Sequence, residues 1–550
     1  MITQDEIVAL AKRFAANEAG RKYTQSSWDE LERYVVPYRG RMFQSETTEG
    51  SVEWDKYNHY DDTAVIAAQT LSASMHGSIL PRLQWFNLRF KNETLQDNND
   101  FSDWLSDSAK RVYNAIENSN FSLEADEMFI DITGFGHGFQ SSESGGDDDQ
   151  ELSFSMIPLK EAFFEEDDDG NPRHFFRKLM WTPTKLVSKF GYENLPDTIQ
   201  KKYDHATNPD ERIPVIFCIF PRDEAKDADT SKSLTPDARP WGHVYFTETG
   251  KEKLGEEGGY YEHPIYSVRW RKVSGSQWGH GPGHICLGDI KQLNQHRLMR
   301  TRAVEKAIDP ANLTTQRGLL STLDLGPRGL TVVRDMDSLK PYEGRANFQI
   351  STEEIMLLRE SIKQAFRTDQ LELKESPAMT ATEAEIRFEL MQRLLGPTLG
   401  RIKVDWLDKV VYNVFKIEQR AGRLLPMPKG LEEIDPDIDI EYVGAMATAQ
   451  KSQLSNDMLQ WASAMAELAN AYPVMKHVVN AEALGREMGR LKSIPEKVIN
   501  GKDEVKKKVS EEQKLAAQQS MLAQAQAEGE ANKAVGEGQA AMNAAQGAMM

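Results

Sequence analysis

Hydrophobic positions divide the chain into three regimes. Near the N-terminus Ile7, Leu10, Ala11 and Phe14 recur at three- and four-residue steps, the spacing of one helical face. Val65, Ala68, Leu71 and Met75 repeat that spacing in a segment that Asp61 or Asp62 can cap and Pro81 ends. Phe101, Trp104, Leu105, Val112 and Ile116 give another stripe, so residues 1–120 are expected to be helical. Alternation then takes over. Leu152, Phe154 and Met156 share one side of a strand, and two Phe pairs, 163–164 and 175–176, flank Asp169-Gly170-Asn171-Pro172, turn chemistry between two strands. Residues 214–220 and 242–246 read as further strands around a polar loop at 223–238, so 150–270 predicts a small β-barrel or sheet.

From 285 the helical period returns. Ile290, Leu293, Arg297, Met299 and Ala303 lie in one segment that stops near Asp309-Pro310. Residues 309–350 are punctuated by Gly and Pro, with short apolar runs such as 330–333. A second helix is expected from Ser351, which stands at capping-box spacing from Glu354, with Ile355, Leu358 and Ile362 as its stripe. Pro377 breaks the pattern. Overlapping capping boxes, Thr380 with Glu383 and Thr382 with Glu385, then open a long helix. Its stripe runs through Ile386, Leu390, Leu394, Leu399, Ile402, Trp406, Val410 and Val414, past Gly396-Pro397, where proline predicts a kink. Residues 437–443 alternate as a strand, and Ala/Met-rich helices follow to about 500. The stretch 501–550 is too poor in large apolar groups to bury a core alone. The order is helix, small β-like excursion, helix, break, kinked helix: an α+β chain, mainly helical.

At 550 residues the chain is too long for one ordinary core. Two cysteines, Cys218 and Cys286, fit a reducing compartment better than a disulfide scaffold. No apolar run approaches the roughly 18 residues of a membrane span, so no membrane partner is expected. The first residues lack the basic and apolar parts of a signal peptide. A net charge of -19 argues against tight bulk binding to nucleic acid. Segment 285–308 is the basic exception, with Lys291, Arg297, Arg300, Arg302 and Lys306 against Asp289 and Glu305. It reads either as a solvated helical face or as a basic face that lines a ring around DNA or pairs with acidic neighbours.

Candidate chemistry is sparse. Gly134-Phe-Gly136-His-Gly138 lacks both a following helix and the Lys-Ser/Thr ending of a phosphate loop, and is expected to be a flexible turn. The carboxylate clusters 147–149 and 165–169 fall in turns and are expected to face water, although a metal-dependent nuclease would need such groups. His280, His284 and Cys286 lie within seven residues, but the intervening Gly-Pro-Gly favours an irregular loop and no second cluster completes a zinc site. Neither a nucleophile elbow nor a zinc-protease helix is present. No catalytic residue, metal or cofactor is therefore expected.

Three motifs together carry a resemblance. They are Trp278-Gly-His-Gly-Pro-Gly283 leading into Asp289-Ile-Lys-Gln-Leu-Asn294 and Lys306-Ala-Ile-Asp-Pro310; Thr380-Ala-Thr-Glu383 through Leu394-Leu-Gly-Pro397; and Gly422-Arg-Leu-Leu-Pro426 followed by Ile440-Glu-Tyr-Val443. In order and spacing, over about 1–490, the chain resembles the head-to-tail connector (portal) family of T7-like short-tailed bacteriophages. The resemblance implies a homo-oligomeric ring of about 12 subunits around a channel for double-stranded DNA. It implies a wing at 1–284, a stem of two helices at 285–308 and 351–371, and a clip at 309–350. A channel loop would follow at 372–382, then a long kinked helix and wing strand at 383–443, a helical crown at 444–500 and a tail at 501–550. The bore would be lined from Arg297, Arg300, Arg302, Lys306, Glu372, Lys374 and Glu375; the clip would present Arg317, Arg328, Arg334, Lys340 and Arg345. Implied partners are the terminase large subunit, tail or adaptor proteins, and major capsid and scaffolding proteins, with the ring at one vertex of the virion, assembled in the bacterial host's cytoplasm. Two alternatives differ in class: a nuclease predicts divalent-dependent DNA cleavage, and a tail adaptor would lack the stem–clip–stem order.

Overall fold

The computed structural model describes residues 2–39, 59–81, 84–96, 98–145, 152–205, 211–225, 234–314, 318–324, 331–335, 337, 339–341, 348–371, 395–431, 437–442, 455, 457–468, 472, 481–491 and isolated positions between 505 and 538. Two compact units are distinguished, one of residues 1–87, 108–426 and 440–446, the other of 88–107, 427–439 and 447–550. In chain order, α1 (Gln4–Tyr34), α2 (Thr63–Ile79), β1 (Phe86–Phe90), α3 (Glu93–Gln96), α4 (Asn99–Glu117) and α5 (Phe121–Phe135) come first. Then come β2 (His137–Ser144), β3 (Leu152–Ile157), β4 (Ala162–Glu166), β5 (Pro172–Trp181), α6 (Pro183–Phe190) and α7 (Asp197–Asp204). Strands β6 (Ile213–Pro221), β7 (Trp241–Thr247), β8 (Lys253–Tyr260), β9 (Ile265–Arg269), β10 (Lys272–Val273) and β11 (Ser276–Gly279) lead to α8 (Pro282–Ile285) and α9 (Leu287–Ile308). The remainder is β12 (Asn312–Thr314), β13 (Leu339–Pro341), α10 (Phe348–Ala365), α11 (Thr368–Leu371), α12 (Asp408–Arg420), β14 (Ile438–Tyr442) and α13 (Ala481–Leu491).

The larger unit is built on an antiparallel sheet of order β4-β5-β6-β7-β8. The predicted face of α1 packs on it: Ile7, Leu10, Ala11 and Phe14 are buried against Phe163, Phe176, Ile216, Cys218, Val244 and Phe246. Phe14 meets Phe163 edge-on with ring centres 5.0 Å apart. Each large apolar side chain so buried is worth roughly 1.5–3 kcal/mol. A capping box that the sequence reading did not pick out starts the helix. Glu6 N–H donates to the Thr3 hydroxyl at 3.4 Å, and Thr3 N–H donates back to the Glu6 carboxylate at 2.7 Å. The predicted turn is present, with Gly170 at φ 85°.

A second sheet, β3-β2-β9, has β2 at its centre. Here the expected flexible turn at 134–138 is corrected. Gly134 and Phe135 end α5, Gly136 caps it in the left-handed region, and His137 and Gly138 begin a buried strand. Polar composition hid β2 because each of its buried polar side chains finds a partner inside for at least one of its atoms. His137 Nε2 lies 2.8 Å from the Ser267 hydroxyl, Gln140 Oε1 accepts from Trp406 Nε1 at 2.8 Å, and Ser142 shares a 2.6 Å hydrogen bond with Tyr266. Burial and nearby Arg269 hold His137 neutral, well below the ordinary histidine range.

Three further expectations change. Helix α10 starts at Phe348, so Ser351 is inside it and caps nothing; residues 348–350 contain no Gly or Pro to stop the helix sooner. The segment expected as one helix to 371 is interrupted at Arg367, whose φ of 59° separates α10 from α11. Past Gly396-Pro397, residues 395–402 are helical, and Lys403–Leu407 then form a π turn that the sequence did not signal. Trp406 within that turn is fully buried. The junction that would show a kink at Pro397 involves 372–394, outside the described residues, as are the two capping boxes placed there.

Strand β14 forms a two-stranded sheet with β1 and joins neither larger sheet. In the smaller unit, Lys91 pairs with Asp437 at 2.9 Å and Arg89 with Asp439 at 3.4 Å. Among the described residues of 447–550, 457–468 and α13 are helical.

Candidate functional site

The two helices that bracket the small excursion meet at one carboxylate. Asp61, at the entrance to α2, is 2% exposed at its side chain. Its Oδ1 accepts from Thr63 N–H at 3.1 Å and from the Thr63 hydroxyl. Its Oδ2 accepts from Arg359 of α10, Nη2 at 2.6 Å and Nε at 3.1 Å, with Arg297 Nε of α9 at 3.4 Å. Tyr60 N–H donates to Asn294 of α9 at 2.7 Å, and Ser361 of α10 donates to Asp289 of α9 at 2.6 Å. A short stretch read only as a helix cap thus ties α9, α10 and α2 together. Its signal, two adjacent Asp before an apolar stripe, does not distinguish a cap from an ion-pair hub.

Burial pushes the Asp61 carboxyl up, but the Thr63 and Arg359 hydrogen bonds outweigh it and hold the group below the ordinary carboxylate value. A depressed folded pKa gives stabilisation that is present above the unfolded value, about 4, and lost as pH falls through the folded one. Asp61→Asn is therefore expected to cost about 2 kcal/mol at neutral pH, the arginines being partly exposed. The deficit should shrink below pH 4. Thermal melts of both proteins across pH 3–7 check this; a constant difference would exclude the clamp.

Beyond this root the side chains of α9 become mostly exposed. Ile290, Leu293 and Asn294 in its first turns are buried, whereas Met299 (56%), Val304 (39%) and Ile308 (79%) are exposed. On α10, Ile355 and Ile362 are buried, and Met356 and Leu357 are exposed. Of the basic candidates on α9, Arg297 is engaged at Asp61 and Lys291 pairs with Glu30 at 2.6 Å. Arg302 and Lys306 are exposed and Arg300 half-buried.

Between the helices, β12 and β13 pair antiparallel with Asn312 opposite Pro341, and Leu319 bridges Val333 further out. Arg334 and Lys340 are exposed, Lys340 beside Asp337 at 3.2 Å. Arg317, Arg328 and Arg345 lie outside the described residues, as do Glu372, Lys374 and Glu375.

The approach to α9 is fixed by two glycine triplets in backbone contact. A Cβ on Gly136 would fall 2.1 Å from Gly281 N, and one on Gly279 2.2 Å from Gly136 O. Gly134 O is 2.9 Å from where a Cβ on Gly283 would be. Gly281 precedes α8, with Pro282 in its first position, so a one-turn helix replaces the irregular loop expected there. His280 and His284 stack with ring centres 4.3 Å apart, burial and the neighbouring His280 lower His284 to about 4, and Cys286 donates to the Pro282 carbonyl. Among the described residues no group of three His, Cys, Asp or Glu is placed to hold a metal, and no helix is long and apolar enough to cross a membrane.

The acidic hairpin is also corrected. Glu165 and Glu166 lie on β4 and are paired, Glu165 with Arg13 at 2.9 Å and His174 at 3.2 Å, Glu166 with Arg269 and with Lys272 at 3.2 Å. Hydrogen bonding from His174 is the main reason the Glu165 carboxyl is lowered to about 2. Alternation of the hairpin turns these groups toward basic neighbours, leaving Asp168 and Asp169 exposed. Residues 147–149 lie outside the described residues.

Curated relatives align along most of their length. A probable portal protein of Bordetella phage BPP-1 is 26% identical over 486 residues, covering 86% of this chain and 85% of that protein. A portal protein of Salmonella phage epsilon15 is 25% identical over 488 residues with the same coverage. A solved structure described as the neck of an empty GTA particle computed with C6 symmetry aligns with a TM-score of 0.36 and 10% identity, covering 72% of this chain and 86% of that one. Residues 8–499 match the family described as bacteriophage head to tail connecting protein, and the chain belongs to that family.

Proposed function

We propose that the chain is the portal subunit of a short-tailed bacteriophage, a structural virion component with no catalytic role of its own. The family match over 8–499 carries this reading. About twelve copies form a ring at one capsid vertex, through which double-stranded DNA enters and leaves. The stem is 285–308 and 351–371, built on α9 and α10, 309–350 is the clip, 372–382 the channel loop, 383–443 the returning helix and wing strand, 444–500 the crown and 501–550 a tail, with 1–284 as the wing. Exposed Met299, Val304, Ile308, Met356 and Leu357 on the helix pair support contact with neighbouring copies there. The terminase large subunit docks on the clip during packaging, and tail or adaptor proteins replace it. Capsid and scaffolding proteins hold the wing.

A sliding duplex must not be gripped. With -19 per subunit, an Arg297 already engaged at Asp61, and Arg302 and Lys306 as sparse exposed cations, the ring has little to release counterions from DNA. The isolated ring is expected to bind duplex DNA more weakly than ~1 µM at physiological salt, with affinity falling steeply as salt rises. Fluorescence anisotropy across a salt series measures this. Tight binding indifferent to salt would contradict the channel reading, and divalent-dependent cleavage of the DNA would favour the nuclease alternative.

A further inference from the structure

Helices α9 and α10 each keep one side bare. On α9, Gln295, Met299, Arg302 and Lys306 follow at steps of four, three and four, the spacing of one helical face, and all four are exposed. On α10 the same steps carry Glu353, Leu357, Glu360 and Gln364, again all exposed, with exposed Met356 beside them. The buried residues lie on the other sides: Ile290, Leu293 and Asn294 of α9, Ile355 and Ile362 of α10. Arg297 and Arg359 turn the same way, to Asp61.

The two bare sides are complementary. That of α9 is cationic, and Arg302 and Lys306 meet no carboxylate among the described residues. That of α10 is anionic, and Glu353 and Glu360 meet no cation among the described residues. The other charges near the root are spent: Lys291 on Glu30, Arg297 and Arg359 on Asp61, and Asp289 on the Ser361 hydroxyl. Each side also exposes large apolar groups, Met299 on α9, Met356 and Leu357 on α10. Within one subunit the helices are fixed to each other through Asp289 and Asp61, so these outward sides are left for another molecule.

We propose that the bare side of α9 in one copy packs on the bare side of α10 in the next. Arg302 and Lys306 meet Glu353 and Glu360 around an apolar centre of Met299, Met356 and Leu357. The contact is head to tail, the kind that closes into a ring, and it rests on the proposed ring of this chain. It directs these two cations to a neighbouring subunit and away from the duplex. Duplex DNA is the poorer occupant, since Glu353 and Glu360 repel phosphate and the three apolar side chains gain nothing from it. A second copy supplies opposite charge and apolar surface together.

Two full-length variants test this, Arg302→Glu with Lys306→Glu, and Glu353→Lys with Glu360→Lys. The substituted positions are exposed and unpaired in the subunit, so both proteins should keep the wild-type helix content by circular dichroism. Alone, each variant sets like charges across every boundary, and its ring yield in electron micrographs should fall about tenfold. Mixed in equal amounts, the two should rebuild rings, because alternation restores opposite charges at every boundary. The protein with all four substitutions should form rings by itself. Wild-type ring yield from either variant alone, no recovery on mixing, or intact rings that have lost only DNA affinity would overturn the assignment and leave the ring standing. Absence of rings from the wild-type protein would remove both.

Discussion

Gly136→Ala is expected to prevent the subunit from folding stably, at a cost above ~4 kcal/mol. Two effects add. A non-glycine residue in the left-handed region, here φ 81°, costs about 1–2 kcal/mol. The added methyl would also lie 2.1 Å from Gly281 N and 2.4 Å from the His280 carbonyl carbon, both backbone atoms that cannot rotate away. Relief requires separating α5 from α8, and α8 leads directly into α9. Gly77→Ala is the matched control: Gly77 lies inside α2, with nothing within 4 Å of the new methyl, and should gain roughly 0.5–1 kcal/mol. Denaturant unfolding of both variants decides the matter. Equal, small effects would show that the triplets do not hold the junction.

Removing 311–347 is expected to leave a folded, assembling subunit whose heads contain no DNA. Asn312 and Pro341 are opposite each other on β12 and β13, so the excursion departs and returns at one place. A short glycine linker can close the gap without moving α9 or α10, whose packing rests on Asp61, Asp289 and Ser361 at their other end. The proposal assigns terminase and adaptor docking to this segment, and its loss should abolish packaging rather than assembly. Counting full heads by electron microscopy checks it. Normal packaging and tail attachment by the deletion protein would remove the clip from the account.

The sequence announced what periodicity can announce. The stripe of α1 is buried as read, and those of α2 and α4 are too except for half-buried Val65 and Phe101; the β4–β5 hairpin and strands β6 and β7 fall where alternation put them, and α9, a paired excursion and α10 follow in the expected order. The family resemblance agrees with the match over 8–499. Strand β2, the glycine segment and the acidic hairpin failed for one cause: polar or small residues whose partners are far away in sequence. Strand β2 carries His137, Gln140 and Ser142, which bond to Ser267, Trp406 and Tyr266 more than a hundred residues on. Gly134-Phe-Gly136-His-Gly138, composed like a flexible turn, packs instead on the second glycine triplet. The clamp at Asp61 and the pairing of Glu165 and Glu166 are likewise long-range ion pairs, and a single sequence gives no sign of which charges meet. Of the candidate bore and clip residues, Arg297 acquired a structural partner, and Arg300, Arg302, Lys306, Arg334 and Lys340 were located.

A closed ring of this chain is what the proposed function requires. Heterologous contacts that rotate by a fixed angle close into rings, and a subunit with apolar side chains exposed along α9 and α10 has the surface to make them. Purified full-length protein at micromolar concentration and physiological salt, imaged by single-particle electron microscopy, is expected to give end-on averages of a ring of about 12 subunits with an open centre. Monomers only, or two-fold dimers with no open centre, would contradict the account.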